Sequence, residues 1–267
     1  MRTAIVFLGF CLICSAQQDP AAIVRKSVVL DKANAERARN YVWTQKTIEK
    51  NLDSAGKVEK VESKTEEMTV VGGEQYRRLV ARNDKPISAA EQKKEHEKQE
   101  RTAAERAKVS EAEKAKRRER QRAFLDQIPE AYNFKLLQDD VIDGRPVWVI
   151  EATPKPGYKG TSSRMKMMSK LRGKLWIDKA DYLWVKVDCE SIEPVSFGLF
   201  LAKLNPGAHI FFEQTRVNDE VWLPKRVLVQ VDARLLVARK RIEIEQTSSN
   251  YKRFQVDSKI QAIAEKK

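Results

Sequence analysis

Histidine, cysteine and glycine are all scarce in this chain, whose 267 residues include 2 His, 3 Cys and 10 Gly. Two of the cysteines, Cys11 and Cys14, belong to the first sixteen residues, which leaves Cys189 alone in the rest of the chain. One cysteine cannot form an internal disulfide, and together with His96 and His209 it does not make an ordinary zinc site. The composition therefore excludes a disulfide-stapled scaffold and indicates no metal and no cofactor.

The sequence motifs of common hydrolases and metalloenzymes are missing as well. The chain contains no GxSxG, no HExxH and no Cys/His cluster. Catalysis needs a positioned nucleophile, an acid–base pair or a metal. Many carboxylates are present, but most of them lie in charge runs that are typical of helices. Catalysis by a pair of carboxylates therefore stays open as an alternative, but no pattern in the sequence supports it. The sequence therefore favours a protein that is not an enzyme.

Long apolar runs are missing, apart from a short one near the start of the chain. Arg2 precedes an apolar stretch of about ten residues, Ala4 to Ile13, and Cys14-Ser15-Ala16 follows as a small-residue cleavage site. A membrane anchor is the alternative, but a bilayer requires about 20 apolar residues. We therefore expect residues 1–16 to be a cleavable signal peptide and the mature protein, from Gln17, to be periplasmic.

Basic residues are in excess, since 51 Lys and Arg face 38 Asp and Glu and give a net charge of +13. Such a balance is typical of proteins that bind nucleic acid or anionic surfaces. Export argues against nucleic acid as a partner. Anionic lipid headgroups and acidic protein partners stay open.

A charged segment at about residues 86–128 interrupts the globular pattern. Ser88 and Glu91 form a capping box, and 20 of the 32 residues from 91 to 122 are charged. No apolar stripe and no aromatic residue accompany these charges, so the segment favours neither a coiled coil nor a nucleic-acid surface. We expect a long helical insertion that is surrounded by solvent, with a partner-docking arm as the alternative.

The most regular pattern is GKLWIDKADYLWVKVD, residues 173–188, which predicts two strands joined by a turn at Asp178–Asp181. Strict alternation would place Trp176 and Trp184 together on one face of this hairpin. The opposite, buried face would then hold Leu175, Ile177, Leu183, Val185 and Val187. A two-stranded ribbon buries too little surface to be stable alone, so more antiparallel strands must flank it.

The rest of the chain supplies those strands and a first helix. Asp19-Pro20 is a good helix start, and the helix should run to about Arg39. Arg164 to Leu171 is rich in methionine and fits either an edge strand or an adaptable apolar surface. Predicted strands cover 41–49, a segment ending at 71, 75–82, 134–141, 147–152, 210–217, 221–231, 235–246 and 251–254, with a bulge or edge at Pro224 and a turn at Ala233-Arg234. The fold class is mainly antiparallel β with α, in a single domain over residues 17–267.

A further helix is predicted between Pro194 and Pro206. Phe197, Phe200, Leu201 and Leu204 recur at i, i+3, i+4 and i+7, which is one face of a helix. Such a helix could lie across the mouth of a sheet and act as a lid.

The chain resembles the outer-membrane lipoprotein-sorting superfamily, the Lol-type (LolA/LolB-like) periplasmic carriers. The resemblance lies in GKLWIDKADYLWVKVD, in EVWLPKRVLVQV at residues 220–231 and in SSNYKRF at residues 248–254. It implies an incompletely closed antiparallel β-barrel with a helix in its mouth and an apolar cavity that receives acyl chains.

The leading functional hypothesis is a periplasmic carrier or binding protein for lipid or lipoprotein acyl chains, which performs no chemistry. The alternative is an envelope sensor or regulatory module that uses the same fold to bind a membrane or protein partner, with the charged segment as its docking arm. Candidate cavity and lid residues are Phe197, Phe200, Leu201, Leu204, Trp43, Trp148, Trp176 and Trp184.

Overall fold

The computed structural model describes residues 18–197, 202–235 and 238–254. The predicted signal peptide lies outside this part of the chain, and so do Phe200 and Leu201. None of the helices described is both long enough and apolar enough to cross a bilayer.

A single antiparallel sheet of 14 strands makes up most of the described chain. The strands are β1 Tyr41–Leu52, β2 Val58–Val71, β3 Glu74–Arg82, β4 Lys85–Pro86, β5 Tyr132–Leu136, β6 Asp140–Ile142, β7 Arg145–Pro154, β8 Leu171–Asp178, β9 Trp184–Ser191, β10 Val195–Phe197, β11 Ala202–Leu204, β12 His209–Val217, β13 Val221–Leu235 and β14 Ala238–Arg253. The helices are α1 Pro20–Ala38, α2 Ala89–Ala107, α3 Glu111–Arg122, α4 Ile128–Ala131 and α5 Ser163–Met168, with a 3₁₀ turn at Ala123–Gln127.

The strand order is β4-β3-β2-β1-β14-β13-β12-β9-β8-β7-β5, and every pair in it is antiparallel. The short strands attach at the side, because β11 pairs with β13 and β10, and β6 pairs with β7. β4 and β5 stand at the two ends of the order and do not pair with each other in the described residues. The predicted class, mainly antiparallel β in an incompletely closed barrel, is confirmed.

Helix α1 packs on the inner side of this sheet. Asp19 caps it by accepting a hydrogen bond from the Ala21 N–H at 2.9 Å, and Pro20 occupies the first turn. Its buried face contributes Ile23, Val24 and Val28 to the main core, where they meet strand residues of β7, β8 and β9. The first helix is therefore placed as the sequence predicts.

The central hairpin forms at the predicted place, but its side chains divide differently between the two faces. Trp176 pairs with Lys186, whereas Ile177 pairs with Trp184, so Val185 is an extra residue on β9. A one-residue slip moves side chains to the opposite face. Trp184 therefore joins the core of Leu175 and Ile177, while Leu183 and Val185 pack with Trp176.

The predicted helix between Pro194 and Pro206 is wrong where the structure describes it. Both of its ends are strands, in which Val195 pairs with Leu204 and Phe197 pairs with Ala202. Ala202–Leu204 also pairs with the end of β13, so the backbone gains partners that a short helix would not provide. Four apolar positions are too few to separate a period of 3.6 from one of 2.

Three smaller features can also be compared with the sequence predictions. The methionine-rich stretch forms helix α5 rather than an edge strand, because Ser162 caps it by accepting from the Met165 N–H at 3.1 Å. The predicted turn at Ala233-Arg234 is wrong, since β13 continues through Leu235. Pro224 marks the predicted bulge, where the register with β12 shifts between Glu213 and Gln214.

Candidate functional site

A cavity of about 860 Å³ lies between helix α1 and the inner face of the sheet. One side of it, called the apolar wall here, consists of Leu125, Ile128, Leu175, Trp184 and Val187. These side chains also belong to the main core, so the wall continues directly into packed protein. A cavity with such a wall suits an apolar ligand.

Part of the remaining cavity lining is polar. Gln45 on β1, Gln214 on β12, and Gln246 and Ser248 on β14 line it, and they are called the polar strip here. Gln45 and Ser248 are direct partners across β1 and β14, which brings two members of the strip together. The cavity lining therefore combines an apolar wall with a group of hydrogen-bonding side chains.

Helix α1 covers the cavity and forms polar contacts with β13, in the middle of the sheet, and with β3, near one end of it. The Asn34 amide donates from Nδ2 to the Trp222 carbonyl oxygen and accepts from the Trp222 N–H, each at 2.9 Å. Gln75 on β3 donates from Nε2 to the Ala38 carbonyl oxygen at 3.1 Å. These bonds hold α1 across the inner face and leave space beneath it.

The rim of the cavity is held by ion pairs between α1 and the end of the charged segment. Arg122 pairs with Asp31, and Lys32 lies 2.8 Å from Asp126. Arg164 of α5 donates to the Gln121 carbonyl oxygen, and its guanidinium stands over the Phe124 ring at 4.8 Å. Both charges of the Lys32–Asp126 pair are about half exposed, so that pair is worth only about 0–1 kcal/mol, whereas Asp31 is buried beside Arg122.

The charged segment is docked on the sheet, contrary to the expectation that solvent surrounds it. Arg106 donates to the carbonyl oxygens of Val71 and Glu74 at 2.9 and 3.0 Å, and Lys114 donates to that of Gly72 at 3.1 Å. Tyr76 is buried, with the Arg106 guanidinium 6.0 Å from its ring centroid. Basic side chains thus donate hydrogen bonds to the carbonyl oxygens around the β2–β3 turn and lie against Tyr76. Helix α2 itself has no buried residue.

The predicted site residues lie in different environments in the structure. Trp43 and Trp184 line the cavity. Trp148 and Trp176 are buried in two separate core clusters and do not line it.

Phe197 and Leu204 lie on the strands β10 and β11, and the positions of Phe200 and Leu201 lie outside the described residues. Trp222 also lines the cavity, although the sequence did not single it out as a site residue. No signal in the sequence would have found it, because alternation along β13 favours its neighbours Val221 and Leu223 as the inward residues.

Cys189 also lines the cavity. Burial raises the pKa of its thiol to about 12, so the thiol stays protonated and weakly nucleophilic near neutral pH. Within the ranges that the structure describes, no group of three or more His, Cys, Asp or Glu is placed to hold a metal ion. The arrangement is suited to binding, and its chemistry is that of apolar contact and hydrogen bonding.

Neither a protein-family model nor a curated protein matches the chain. Among solved structures, it is similar to a DUF1329 family protein of Desulfovibrio piger, with 14% identity over 90% of this chain and 95% of that chain and a TM-score of 0.35. A protein domain of Vibrio parahaemolyticus described as outer membrane lipoprotein-sorting shares 14% identity over 87% and 94%, with a TM-score of 0.29.

A LolA superfamily protein of Nitrosomonas europaea shares 12% identity over 88% of this chain and 96% of that chain, with a TM-score of 0.29. The names of the proteins from Vibrio and Nitrosomonas refer to the same superfamily that the sequence motifs resemble.

Proposed function

We propose that this protein is a carrier or binding protein for lipid or lipoprotein acyl chains. The observation that carries the proposal is the cavity of about 860 Å³ with its continuous apolar wall beneath α1. An apolar wall that borders a cavity is suited to contact with an alkyl chain.

Burial of the chain would provide the binding free energy. Each methylene moved out of water contributes about 0.8 kcal/mol, so half of a long acyl chain supplies several kcal/mol before the entropic cost of ordering it. Three tryptophans on the cavity lining, Trp43, Trp184 and Trp222, add large contact surfaces. Such a site discriminates weakly between chains of similar length, which suits a carrier of mixed acyl groups.

A cavity-filling substitution tests the proposal. Val187 belongs to the apolar wall, and Val187→Phe would occupy space that an acyl chain needs. Val61 lies on β2 with 54% of its surface exposed, so Val61→Phe is a matched control outside the cavity. We expect wild type and Val61→Phe to bind a fluorescent fatty acid alike, and Val187→Phe to bind it at least about tenfold more weakly.

Circular dichroism and the unfolding midpoint of each variant verify that the fold is retained. Failure of wild-type protein to bind any acyl probe would contradict the proposed function. An equal loss in both variants would show that the probe does not bind in this cavity.

The proposal includes export, which follows from residues 1–16 and leads to a direct prediction. Protein purified from the producing cell should begin at Gln17, and intact-mass measurement verifies this. Material that retains Met1, or that is confined to the cytoplasm, would argue against a periplasmic carrier.

A second candidate function, an envelope regulatory module, is favoured by one observation. Helix α2 buries no side chain, so its outer surface is open to a partner while its inner surface lies near β2 and β3. Isolation of the intact protein tests this alternative, since a carrier should retain lipid and a regulator should retain a stoichiometric protein. A protein partner whose binding is lost when exposed α2 residues such as Lys94 and Arg101 are changed to Ala would place the regulatory function first.

A further inference from the structure

The charge on the cavity lining is strongly one-sided. Four arginines, Arg77, Arg122, Arg164 and Arg172, line the cavity together with a single carboxylate, Asp31. Charges beside a low-dielectric wall attract the opposite charge more strongly than charges in open water. The lining therefore favours a ligand with a negative end.

Three of these arginines already have partners. Arg122 pairs with Asp31, Arg172 pairs with Glu190 at 2.6 Å, and Arg164 donates to a backbone carbonyl oxygen. Arg77, by contrast, forms no ion pair and no hydrogen bond with any residue that the structure describes, and it is exposed. Of the four arginines, Arg77 is therefore the one whose guanidinium donors have no acceptor among the described residues.

The strand register places Arg77 beside two further donors. Trp43 pairs with Met68 across β1 and β2, and Met68 pairs with Arg77 across β2 and β3, so the three residues form one row across the sheet. Gln45 lies two residues along β1 from Trp43 and therefore on the same face. The carboxylate opposite Gln45, Glu66, lies 3.2 Å from Lys64, so the charge near the row is already compensated.

Two of these donors are buried without partners. Trp43 is 7% exposed and Gln45 is 6% exposed, and neither the indole Nε1 nor the amide Nε2 has a hydrogen-bond partner among the described residues. A buried donor without an acceptor costs free energy. Because the last side-chain torsion of glutamine is soft, the Gln45 amide can turn its N–H towards the cavity when an acceptor arrives.

We propose that the ligand of this cavity is a single-chain anionic amphiphile whose oxyanion headgroup binds Arg77. An ester or carbonyl oxygen near the headgroup would accept from Gln45 and Trp43, and the alkyl chain would extend along the apolar wall towards Leu175 and Trp184. This inference rests on the proposed function and names its ligand class. A carboxylate and a phosphate headgroup share the required chemistry, because both accept the paired N–H groups of a guanidinium.

Competition between simple alkyl probes tests the inference. Decanoate, decyl phosphate and 1-decanol, each below its micelle concentration, are titrated against a bound fluorescent acyl probe. Wild type should bind at least one of the two anions about tenfold more tightly than 1-decanol, since a charge-assisted pair adds to the shared alkyl contact. The tighter of the two anions identifies a carboxylate or a phosphate as the headgroup.

Two substitutions of Arg77 test whether this residue causes the preference for anionic probes. Arg77→Met should bind all three probes as weakly as wild type binds 1-decanol, and Arg77→Lys should retain part of the preference for anions. Arg78→Met is the matched control, because Arg78 is the neighbouring arginine and pairs with Glu67. It should behave like wild type.

The outcomes separate this inference from the proposed function. If 1-decanol competes as well as the anions in wild type, or if Arg77→Met and Arg78→Met act alike, the headgroup assignment is overturned while acyl binding stands. If no acyl probe binds wild type at all, the proposed function fails, and the headgroup assignment fails with it.

Discussion

Asp178 joins the central hairpin to the rest of the sheet, and its removal gives the sharpest prediction for stability. Its side chain has no exposed surface, yet it is charged. The Arg145 guanidinium donates to it from Nε at 2.6 Å and from Nη2 at 2.8 Å. The backbone N–H groups of Ala180 and Asp181 also donate to it, at 2.9 and 2.7 Å. Four donors thus converge on one carboxylate at the turn between β8 and β9.

Asp178→Asn removes the charge but keeps the shape. Loss of one partner of a buried ion pair costs about 3–5 kcal/mol, because the other charge is left uncompensated. Arg145 is 28% exposed, and its Nη2 also lies 3.1 Å from Asp181, so water and a second carboxylate reduce this cost. We expect the free energy of unfolding to fall by about 2–3 kcal/mol for Asp178→Asn.

Urea unfolding measures the change, with Glu190→Gln as the control. Glu190 pairs with Arg172 at 2.6 Å, but both side chains are about half exposed, so its loss should cost less than about 1 kcal/mol. The reasoning is refuted if the two substitutions change the free energy of unfolding by the same amount.

The pH dependence provides a second measurement on the same residue. Burial acts to raise the pKa of Asp178, but the hydrogen bonds from Arg145 and from the backbone N–H groups hold it below its usual value. A folded-state pKa below the unfolded one means that the stabilisation is complete above the unfolded pKa, about 3.9, and is lost as the pH falls through the folded pKa. Wild type should therefore lose more stability than Asp178→Asn below about pH 4.

Two other predictions concern residues on the cavity lining. A Cβ at Gly173 would stand 2.2 Å from the Asp188 carbonyl oxygen and 2.6 Å from the Cys189 Cα, so Gly173→Ala should force β8 and β9 apart. It should lower the free energy of unfolding by about 2 kcal/mol or more in urea, and an unchanged midpoint would contradict the strand pairing. Because burial raises the pKa of Cys189 to about 12, its alkylation by iodoacetamide at pH 8 should be more than about a hundredfold slower than in the urea-unfolded chain. Similar rates in both states would show that the thiol is not buried.

Periodicity predicted the long elements well. Helix α1 has a cap, a proline and an apolar stripe, and β1 alternates between buried and half-buried residues, so the local signals agree with the fold at both elements. The predictions failed where one residue decides the outcome. The extra residue Val185 moved Trp184 to the other face of the hairpin, and nothing in the sequence marks a bulge there.

The candidate site was harder to predict than the fold, because its residues come from distant strands. The polar strip uses glutamines and a serine that look like surface residues when each strand is considered alone. The docking of the charged segment depends on arginine and lysine reaching backbone carbonyl oxygens, and a search for apolar stripes cannot detect such contacts. Only the three-dimensional register shows that Arg77, Trp43 and Gln45 lie on the same face of the strands β1 to β3.

The pairing of an early strand with the last described strand has a consequence for how the protein folds. Helix α1 is bonded to Trp222 through Asn34, a separation of 188 residues, and β1 lies between β2 and the last strand, β14. Contacts this far apart in sequence are slow to form, because a long loop must close before they are gained. The apolar face of α1 therefore stays uncovered until β7, β8 and β9 are available, and one edge of β1 stays unpaired until β14 is available. The sheet therefore cannot be completed in the order of the sequence, because one of its early strands gains its second partner only from the last strand that the structure describes.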